Sequence, residues 1–595
     1  MNSTSYARAF VFFLALSIRL VYVSQALSSP FHTTLMFDSK TYDLAAHAII
    51  EQGPIQGGVY QLGPLYTYFL AAIHVVFGHD IAAVFIVQAI MEALACTIIQ
   101  LLGERVYDAR TGLTAGLMAA VYGPLVFYTG TILSEPVLIF VNAALIYLLT
   151  KAYDEGKPQT WALAGVVLGI SAWGKSNILV ILPLILAMNW LYPTRKKSRH
   201  AAAWLLVGAL VAVAPITARN MMAGGIAPVT GNFGVNLYIG NNPKATGTFT
   251  PLNELIHSSG NAYYIEQDEY TPRGRSILEA DALLRDKAIT YMTSDPAGWA
   301  ALMLRKAMLY VNAYEIPDME DYWFEKDQGI LGYMIPTMAL IAPLGILGAA
   351  YSIGNRKARP TGIFMIAYAA SFILFFVKGR FRITLILAVI LFCAHAIWRL
   401  WDIWRSGKTL IKPAIALAVL MLLVNNGGYR ADIEGTGMYN PYNNLGREYA
   451  SLGQSQKALE YYLKAVEHSP NHYEAHNNLG EAYNSAGEYA KAEKALKEAV
   501  RIDSLRPYAH LNLGNTYIRT NRTAEAAEEY GLAIVSNPYY YEARSNLGTA
   551  YLARGEPEKA IREYEAAKRI NPDDTSTNEN LEYAYQMRDK MRKPP

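Results

Sequence analysis

The sequence has little cysteine and little charge. Only two of its 595 residues are cysteines, Cys96 and Cys393, and both lie in apolar runs. This excludes a disulfide framework and a site built from several thiolates. Charged residues make up 17% of the chain, whereas soluble proteins carry about 25%. The net charge of +3 is too small to indicate an acidic partner such as a nucleic acid. With 52% hydrophobic residues, the composition favours a membrane protein.

The polarity of the sequence changes near residue 425. Residues 1–425 read as a membrane domain, and the chain after about residue 440 is polar with a helical pattern. Between them lies "NNGGYRADIEGTG", a glycine-rich segment typical of a linker. We therefore predict a membrane domain over 1–425, a linker over 426–440, a repeat domain over 441–576, and a capping helix and tail over 577–595.

Eleven apolar runs are candidates for membrane spans, since a helix needs roughly 17–25 such residues to cross a bilayer. They lie at 7–27, 81–103, 112–128, 133–152, 159–173, 176–192, 200–218, 331–352, 361–377, 383–400 and 410–425. We interpret the first run as a span rather than a signal peptide, because Arg19 would interrupt the apolar core of a signal peptide. The short run 62–77 is ambiguous, and we favour a helix that lies flat on the outer surface.

The distribution of lysine and arginine predicts the orientation, because cytoplasmic loops collect these residues. "RKKSRH" (195–200) and "RKAR" (356–359) are expected inside, as is the basic segment around Arg405. The loop with Asp38, the large loop 219–330 and the whole C-terminal tail are then extracytoplasmic. If the run 62–77 crosses the membrane instead, Asp38 lies on the cytoplasmic side, and the C-terminal tail remains extracytoplasmic. The expected location is a bacterial inner (cytoplasmic) membrane.

The tail repeats every 34 residues. "NLGREY", "NLGEAY", "NLGNTY" and "NLGTAY" begin at residues 444, 478, 512 and 546, and a half repeat follows in phase. A 34-residue period with Leu-Gly-x-x-Tyr is the tetratricopeptide signature, which predicts stacked helix pairs. The half repeat is polar enough to cap the stack.

One asparagine of each repeat falls at the same position on the helix that lines the concave face. The five residues are Asn444, Asn478, Asn512, Asn546 and Asn580. An amide side chain offers a donor and an acceptor, so this asparagine ladder could bind the backbone of an extended polypeptide. The array resembles the repeats of the cytosolic O-GlcNAc transferases, where such a ladder does so. The alternative is that Asn-Leu-Gly is only a common packing motif of these repeats.

Polar residues recur at the predicted outer ends of the spans, at Asp38, Glu135, Lys175, Lys378, Arg380 and Arg382. Carboxylates can act as a general base or bind a metal, and arginine and lysine bind phosphate. Together they favour a site for an amphiphilic phosphate donor. Each cation taken alone is more often structural, since interfacial cations snorkel towards headgroups, and Asp38 alone could cap a helix.

Several motifs resemble the GT-C glycosyltransferases, which include protein O-mannosyltransferases and bacterial aminoarabinose transferases. "FDSKTYDLAAHAI" is similar to the Asp-x-x-x-Tyr-x-x-x-Ala pattern of their first outer loop, and "GPLYTYFLAAIHVVFG" to their interfacial helix. "ARTGLTAGLMAAVYGPLVFYTGTILSEP" resembles their third span and the acidic position after it. The resemblance implies an all-α fold: a polytopic GT-C bundle of about 11 spans with interfacial helices, followed by a tetratricopeptide α-solenoid.

The resemblance also implies an activity: inverting transfer of a sugar from a polyprenyl-phosphate donor to an extracytoplasmic acceptor, here a protein hydroxyl. Asp38 would be the base, and Glu135 would orient Asp38 or the acceptor. Lys175, Arg219, Arg380 and Arg382 would bind the donor phosphate. Lys175 stands where the family usually has arginine, and Thr384 stands where it has proline. No cofactor or metal is expected, with a divalent metal as the alternative.

Two other functions fit parts of the sequence. A membrane-anchored tetratricopeptide scaffold without catalysis would explain the tail but not the outward-facing charges. An O-antigen ligase or polymerase also uses lipid-linked sugars, but an Asp-x-x-x-Tyr loop so close to the first span is not expected in that class. The expected partners are the lipid-linked sugar, an acceptor protein or glycan, membrane lipid, and a protein bound by the repeats.

Overall fold

The computed structural model shows an all-α protein, as the sequence predicts. It describes residues 3–55, 58–193, 198–249, 277–316, 322–326, 329–334, 338–428 and 440–592. Within these ranges the β-pairing consists of one isolated parallel bridge, between Thr248 and Val377. The described residues fall into two compact units, one within 1–433 and one after the linker. The predicted linker 426–440 lies mostly outside the described residues.

The helices of the N-terminal unit include one or two at each apolar run of the sequence and others in the loops between the runs. They are Ser3–Ala26, Pro30–Thr33, Phe37–Gln52, Pro64–Phe77, Ile81–Val106, Ala109–Ala120, Gly123–Thr129, Glu135–Glu155, Pro158–Gly174, Ile181–Leu191, Ser198–Ala201, Ala203–Met222, Phe233–Gly240, Ile277–Ser294, Pro296–Val311, Tyr322–Lys326, Met338–Tyr351, Arg359–Ile373, Gly379–Ile383, Ile386–Arg405 and Ile411–Val424. Short 3-10 helices lie at Ser176–Val180, Ile330–Tyr333 and Arg356–Ala358.

Five of these helices are long and apolar enough to cross a membrane: Thr4–Ala26, Ile81–Val106, Glu135–Glu155, Ala203–Met222 and Ile386–Arg405. The other predicted spans coincide with shorter helices, so the total of eleven membrane spans remains a prediction. The predicted span 112–128 is wrong as a single helix. Its first helix ends at Ala120, and a second begins at Gly123 with Pro124 in its first turn. Proline interrupts a helix because it lacks the N–H and clashes with the preceding turn.

A buried ion pair explains why the first apolar helix contains an arginine. Nε of Arg19 donates to Oε2 of Glu92 at 2.9 Å, and both side chains are fully buried. Nη1 of Arg19 also donates to the carbonyl oxygens of Ala15 and Ala120. A charge among apolar helices is tolerated when it is paired in this way, so Arg19 joins three helices of the bundle.

The C-terminal unit contains the predicted helix pairs. They are Pro441–Ser451 with Ser455–His468, Tyr473–Ser485 with Tyr489–Ile502, Pro507–Arg519 with Thr523–Ser536, and Tyr541–Ala553 with Pro557–Ile570. The last helix, Thr575–Arg592, begins two residues before the predicted 577 and packs on the fourth pair. Stacked repeats need such a polar terminal helix for solubility.

Candidate active site

Asp38 lies in the first turn of the helix Phe37–Gln52, which we call the Asp38 helix. The helix begins with a local cap, in which Oγ of Ser39 accepts from the N–H of Met36 and donates to its carbonyl oxygen. Phe37 has a φ of 50°, a left-handed conformation that is uncommon for a bulky residue. Strained backbone of this kind clusters at functional sites, and here it immediately precedes Asp38.

The segment with Arg380 is held between two other stretches of the chain. The N–H of Val377 donates to the carbonyl oxygen of Gly247 at 2.9 Å. The N–H of Gly379 donates to the carbonyl oxygen of Ile316 at 3.2 Å. A Cβ atom on Gly379 would lie 2.6 Å from the Ile316 oxygen, so this close approach requires glycine. These contacts set the backbone position of Arg380.

Arg380 reaches the side chain of Asp38. Its Nη1 donates to Oδ2 of Asp38 at 2.8 Å, and the side chains are only 10% and 9% exposed. A charge-assisted hydrogen bond in such a buried place is stronger than a neutral one. The predicted base and one predicted phosphate ligand therefore lie in direct contact.

A second ion pair joins Glu135 and Lys175. Nζ of Lys175 lies 3.4 Å from Oε1 of Glu135, which is fully buried. Glu135 is in the first turn of its helix, where the helix dipole favours a negative charge. Oγ of Ser134 donates to its other carboxylate oxygen at 3.3 Å.

The two ion pairs share one electrostatic environment. Burial lowers the pKa of Lys175; Glu135 and Asp38 oppose this effect, and Arg380 adds to it. Burial also raises the pKa of Tyr42, and the charges of Asp38 and Glu135 raise it further. Two carboxylates, two cations and one tyrosine thus form the candidate active site. Nearby, a groove is lined by His32, Met36, Phe37 and Ile132 among other residues.

An aromatic ring lies beside both cations. Nζ of Lys175 is 4.6 Å from the ring centre of Phe381, and Cζ of Arg380 is 5.7 Å from it. A ring face attracts cations through its quadrupole. Phe381 therefore helps to hold Lys175 and Arg380 close together despite their like charge.

Arg382 is directed away from this pair. It donates to the carbonyl oxygens of Asn312 and Tyr314 at 2.6 and 2.8 Å, and Nη2 lies 2.5 Å from Oε2 of Glu315. The side chain of Arg382 is 2% exposed. These contacts hold 312–315 against the Arg380 segment, and they occupy both terminal nitrogens of the guanidinium group.

Arg219 also binds main chain. Its Nε donates to the carbonyl oxygen of Pro54 at 2.9 Å, and Nη1 donates to that of Gly58 at 2.6 Å. Its guanidinium carbon lies 4.0 Å from the ring centre of Tyr60. Arg219 thus anchors the loop after the Asp38 helix. Of the four predicted phosphate ligands, the structure brings Lys175 and Arg380 to Asp38 and Glu135.

In the repeat unit, three ladder asparagines bridge adjacent repeats. Nδ2 of Asn478 donates to Asn443 at 2.9 Å, Nδ2 of Asn512 to Asn477 at 3.1 Å, and Nδ2 of Asn546 to Asn515 at 3.0 Å. Asn444 and Asn580 are partly exposed at the two ends of the ladder. The ladder is therefore part of the packing between repeats, in addition to any role in binding.

Comparison with known protein families matches two regions of the chain, one in the apolar N-terminal unit and one in the repeats. Residues 61–218 match the family model of dolichyl-phosphate-mannose-protein mannosyltransferases, which are of the GT-C type. The ranges 443–507 and 511–575 match a tetratricopeptide repeat model. No curated protein matches the chain significantly.

Solved structures resemble part of the chain. The crystal structure of the MamA protein is 28% identical, covers 25% of this chain and 81% of its own, and has a TM-score of 0.24. YrrB, a tetratricopeptide protein with an unusual peptide-binding site, is 20% identical, with 28% and 86% coverage and a TM-score of 0.24. PilF of Pseudomonas aeruginosa is 24% identical, with 25% and 69% coverage and a TM-score of 0.24.

Two features near the site were not predicted from the sequence. One is Glu315, the buried partner of Arg382, and no local pattern marks that carboxylate. The other is a group of three histidines around Asp43: His47, His74 and His79. The spacing Asp-x-x-x-His over 43–47, on a segment with a helical pattern, could have indicated the first pair, since residues four apart share a helix face.

Proposed function

We propose that the protein transfers a sugar from a polyprenyl-phosphate donor to a hydroxyl group of an extracytoplasmic protein, with inversion at the anomeric carbon. The contact between Asp38 and Arg380 carries this proposal. It brings together a group that can take a proton and a group that can hold a phosphate. The family match of 61–218 supports the reaction class.

In the proposed reaction, the acceptor oxygen attacks the anomeric carbon, and the bond from that carbon to the phosphate oxygen breaks. The acceptor proton passes to the Asp38 carboxylate, and the bonding electron pair leaves with the lipid phosphate. Arg380 and Lys175 stabilise the phosphate charge, an effect that is strongest where water is excluded. Attack opposite the leaving group inverts the sugar configuration.

We further propose that donor binding exchanges the partner of Arg380. In the structure, Nη1 of Arg380 lies 2.8 Å from Oδ2 of Asp38. A phosphate offers the same guanidinium two parallel hydrogen bonds, so it competes with Asp38 for Arg380. The exchange would release Asp38 to accept the proton only when donor is present. Glu135, which holds Lys175 at 3.4 Å, is then a positioning residue.

The proposed site and the repeats both face away from the cytoplasm. The distribution of lysine and arginine in the loops supports this orientation. In that arrangement, the repeats recruit the acceptor protein on the side of the membrane where its hydroxyl group is modified.

Transfer from a radiolabelled polyprenyl-phosphate sugar to an acceptor protein tests the proposal, with wild type beside Asp38→Asn. Loss of a general base costs on the order of 100-fold or more. Glu51→Gln is the matched control, since Glu51 is an exposed carboxylate near the end of the same helix. Transfer by Asp38→Asn above about a tenth of the wild-type rate would move the base to Asp43 or Glu135. No transfer by wild type with any donor would contradict the function.

A further inference from the structure

Three histidines surround one carboxylate beside the Asp38 helix. Asp43 and His47 lie on the Asp38 helix, His74 lies in the last turn of the helix Pro64–Phe77, and His79 lies just after that helix. Their candidate ligand atoms are all within 4.8 Å of one another. The ring centres of the histidines are 4.8 to 5.2 Å apart. We call these four residues the histidine cluster.

Local structure explains why the four side chains meet. Asp43 and His47 are four residues apart, so they share one face of their helix. Gly78 ends the helix of His74 with a φ of 75°, and its N–H donates to the His74 carbonyl oxygen at 3.0 Å. Glycine adopts this left-handed conformation without steric cost. The resulting turn brings His79 back beside His74.

The hydrogen bonds of the cluster suit metal ligands. Nδ1 of His47 lies 3.0 Å from the carbonyl oxygen of Asp43. If Nδ1 carries the proton and donates it there, Nε2 keeps its lone pair. Histidines that bind metals usually donate their second ring N–H to a carbonyl or carboxylate in this way. Nε2 of His79 lies 2.8 Å from Oδ1 of Asp43, so the carboxylate is at the centre of the cluster.

His74 is the least satisfied member of the cluster. Its side chain is only 6% exposed, and among the described residues its Nδ1 has no hydrogen-bond partner. Its Nε2 is 3.8 Å from Oδ1 of Asp43, which is too long for a hydrogen bond. Buried polar atoms rarely remain unpaired in native proteins. A cation bound by Nε2, the ring nitrogen nearer to Asp43, would give this imidazole a partner.

The distances fit a small tetrahedral ion after modest adjustment. Bonds of about 2.0–2.1 Å to Zn²⁺ place ligand atoms about 3.3 Å apart. Nε2 of His79 and Nε2 of His74 lie 2.8 and 3.8 Å from Oδ1 of Asp43, on both sides of that value. The side chains of His47 and His79 are 41% and 48% exposed, so both can rotate to meet an ion held between Asp43 and the buried His74.

We propose that Asp43, His47, His74 and His79 bind a transition-metal ion of the Zn²⁺ class, which joins the Asp38 helix to the end of the next helix. Three imidazoles and one carboxylate are ligands that Zn²⁺ accepts in tetrahedral sites. Asp43 is five residues after Asp38 on the same helix, so the ion would stabilise the helix that carries the proposed base. The metal site itself does not depend on the proposed reaction.

Metal content and affinity test the proposal without any substrate. The full chain is purified in detergent with a tag that contains no histidine, stripped with a chelator and titrated with Zn²⁺. We expect elemental mass spectrometry to show about one bound zinc ion per protein chain. His74→Gln and His79→Gln should each weaken binding at least about 10-fold, the lower end of what even outer-shell substitutions produce. His476→Gln in the repeat unit is the matched control and should bind as wild type does.

Cobalt gives a second readout that needs no variant. Co²⁺ in a tetrahedral site with nitrogen and oxygen ligands has intense visible absorption bands, whereas six-coordinate Co²⁺ is nearly colourless. Intense bands with one equivalent of Co²⁺, lost on addition of Zn²⁺, would support the site. Weak bands, substoichiometric zinc, or equal binding by wild type and His74→Gln would overturn it and leave a hydrogen-bonded histidine–aspartate cluster.

Discussion

Nη1 of Arg380 lies 2.8 Å from Oδ2 of Asp38, although 342 positions separate the two residues in the chain. Arg382, two residues further on, instead binds Glu315 and the main chain of 312–314. Two arginines that look equivalent in "KGRFR" therefore have different surroundings. Arg380 belongs to the candidate active site, whereas Arg382 holds the segment 312–315 in place beside the Arg380 segment.

This difference predicts distinct effects of two alanine substitutions. Arg380→Ala should raise the Michaelis constant for the donor more than it lowers turnover, because a phosphate ligand acts in both ground and transition states. Arg382→Ala should instead lower the yield and melting temperature, since removing one partner of a buried ion pair costs about 3–5 kcal/mol. Steady-state kinetics and thermal melting in detergent measure the two effects. Arg380→Lys is the charge-preserving control. An unchanged donor dependence in Arg380→Ala would place the phosphate elsewhere.

A buried lysine predicts a pH-dependent stability. Lys306 has a fully buried side chain, and burial lowers its pKa from 10.5 to about 7. Between these values the unfolded chain binds a proton that the folded chain does not, so stability should rise with pH over this range and be lowest below about pH 7. Lys306→Met should melt higher than wild type near pH 7 and should show a smaller rise in melting temperature towards pH 10. Arg285→Met, at an exposed position, is the control. An equal rise in melting temperature between pH 7 and pH 10 in wild type and Lys306→Met would contradict the prediction.

The repeat ladder can be tested with a control that the structure supplies. Changing Asn478, Asn512 and Asn546 together to Ala should weaken the apparent affinity for a protein acceptor at least about 10-fold, because each net hydrogen bond contributes about 0.5–1.5 kcal/mol. Transfer to a short soluble hydroxyl acceptor should be unchanged. Asn443→Ala with Asn477→Ala is the control, since these residues accept the bridging bonds of Asn478 and Asn512. An equal loss in both variants would indicate that the ladder acts only by packing.

The orientation of the repeats can be measured by labelling. Ser455 is exposed at the start of a repeat helix, so Ser455→Cys should react with an impermeant maleimide in intact spheroplasts. The native Cys96 and Cys393 are each only 1% exposed and should not react. The parent protein without the new cysteine is therefore the matched control. Labelling only after lysis would place the tail in the cytoplasm and contradict the proposed side of the active site.

The helical architecture could be predicted from sequence because its signals are local. Apolar runs predict membrane helices by their length, and a 34-residue period predicts the repeats. Tyr42, Ala46 and Ile49 are likewise spaced as on one face of a helix, and the structure shows a helix there, at Phe37–Gln52. The break at Val121 was missed, since a continuous apolar run conceals a helix end when the proline lies inside the run.

The sequence by itself determined which residues could do chemistry, and only the tertiary structure decided which of them meet. Asp38, Glu135, Lys175 and Arg380 come from distant segments, and their contacts depend on how the helices pack. Arg219 and Arg382 have the same chemistry as Arg380, yet their guanidinium groups bind main-chain carbonyl groups elsewhere. The histidine cluster needed the turn at Gly78 as well as the spacing along one helix. The sequence shows which side chains are charged, but the packing of distant segments decides which partner each one contacts.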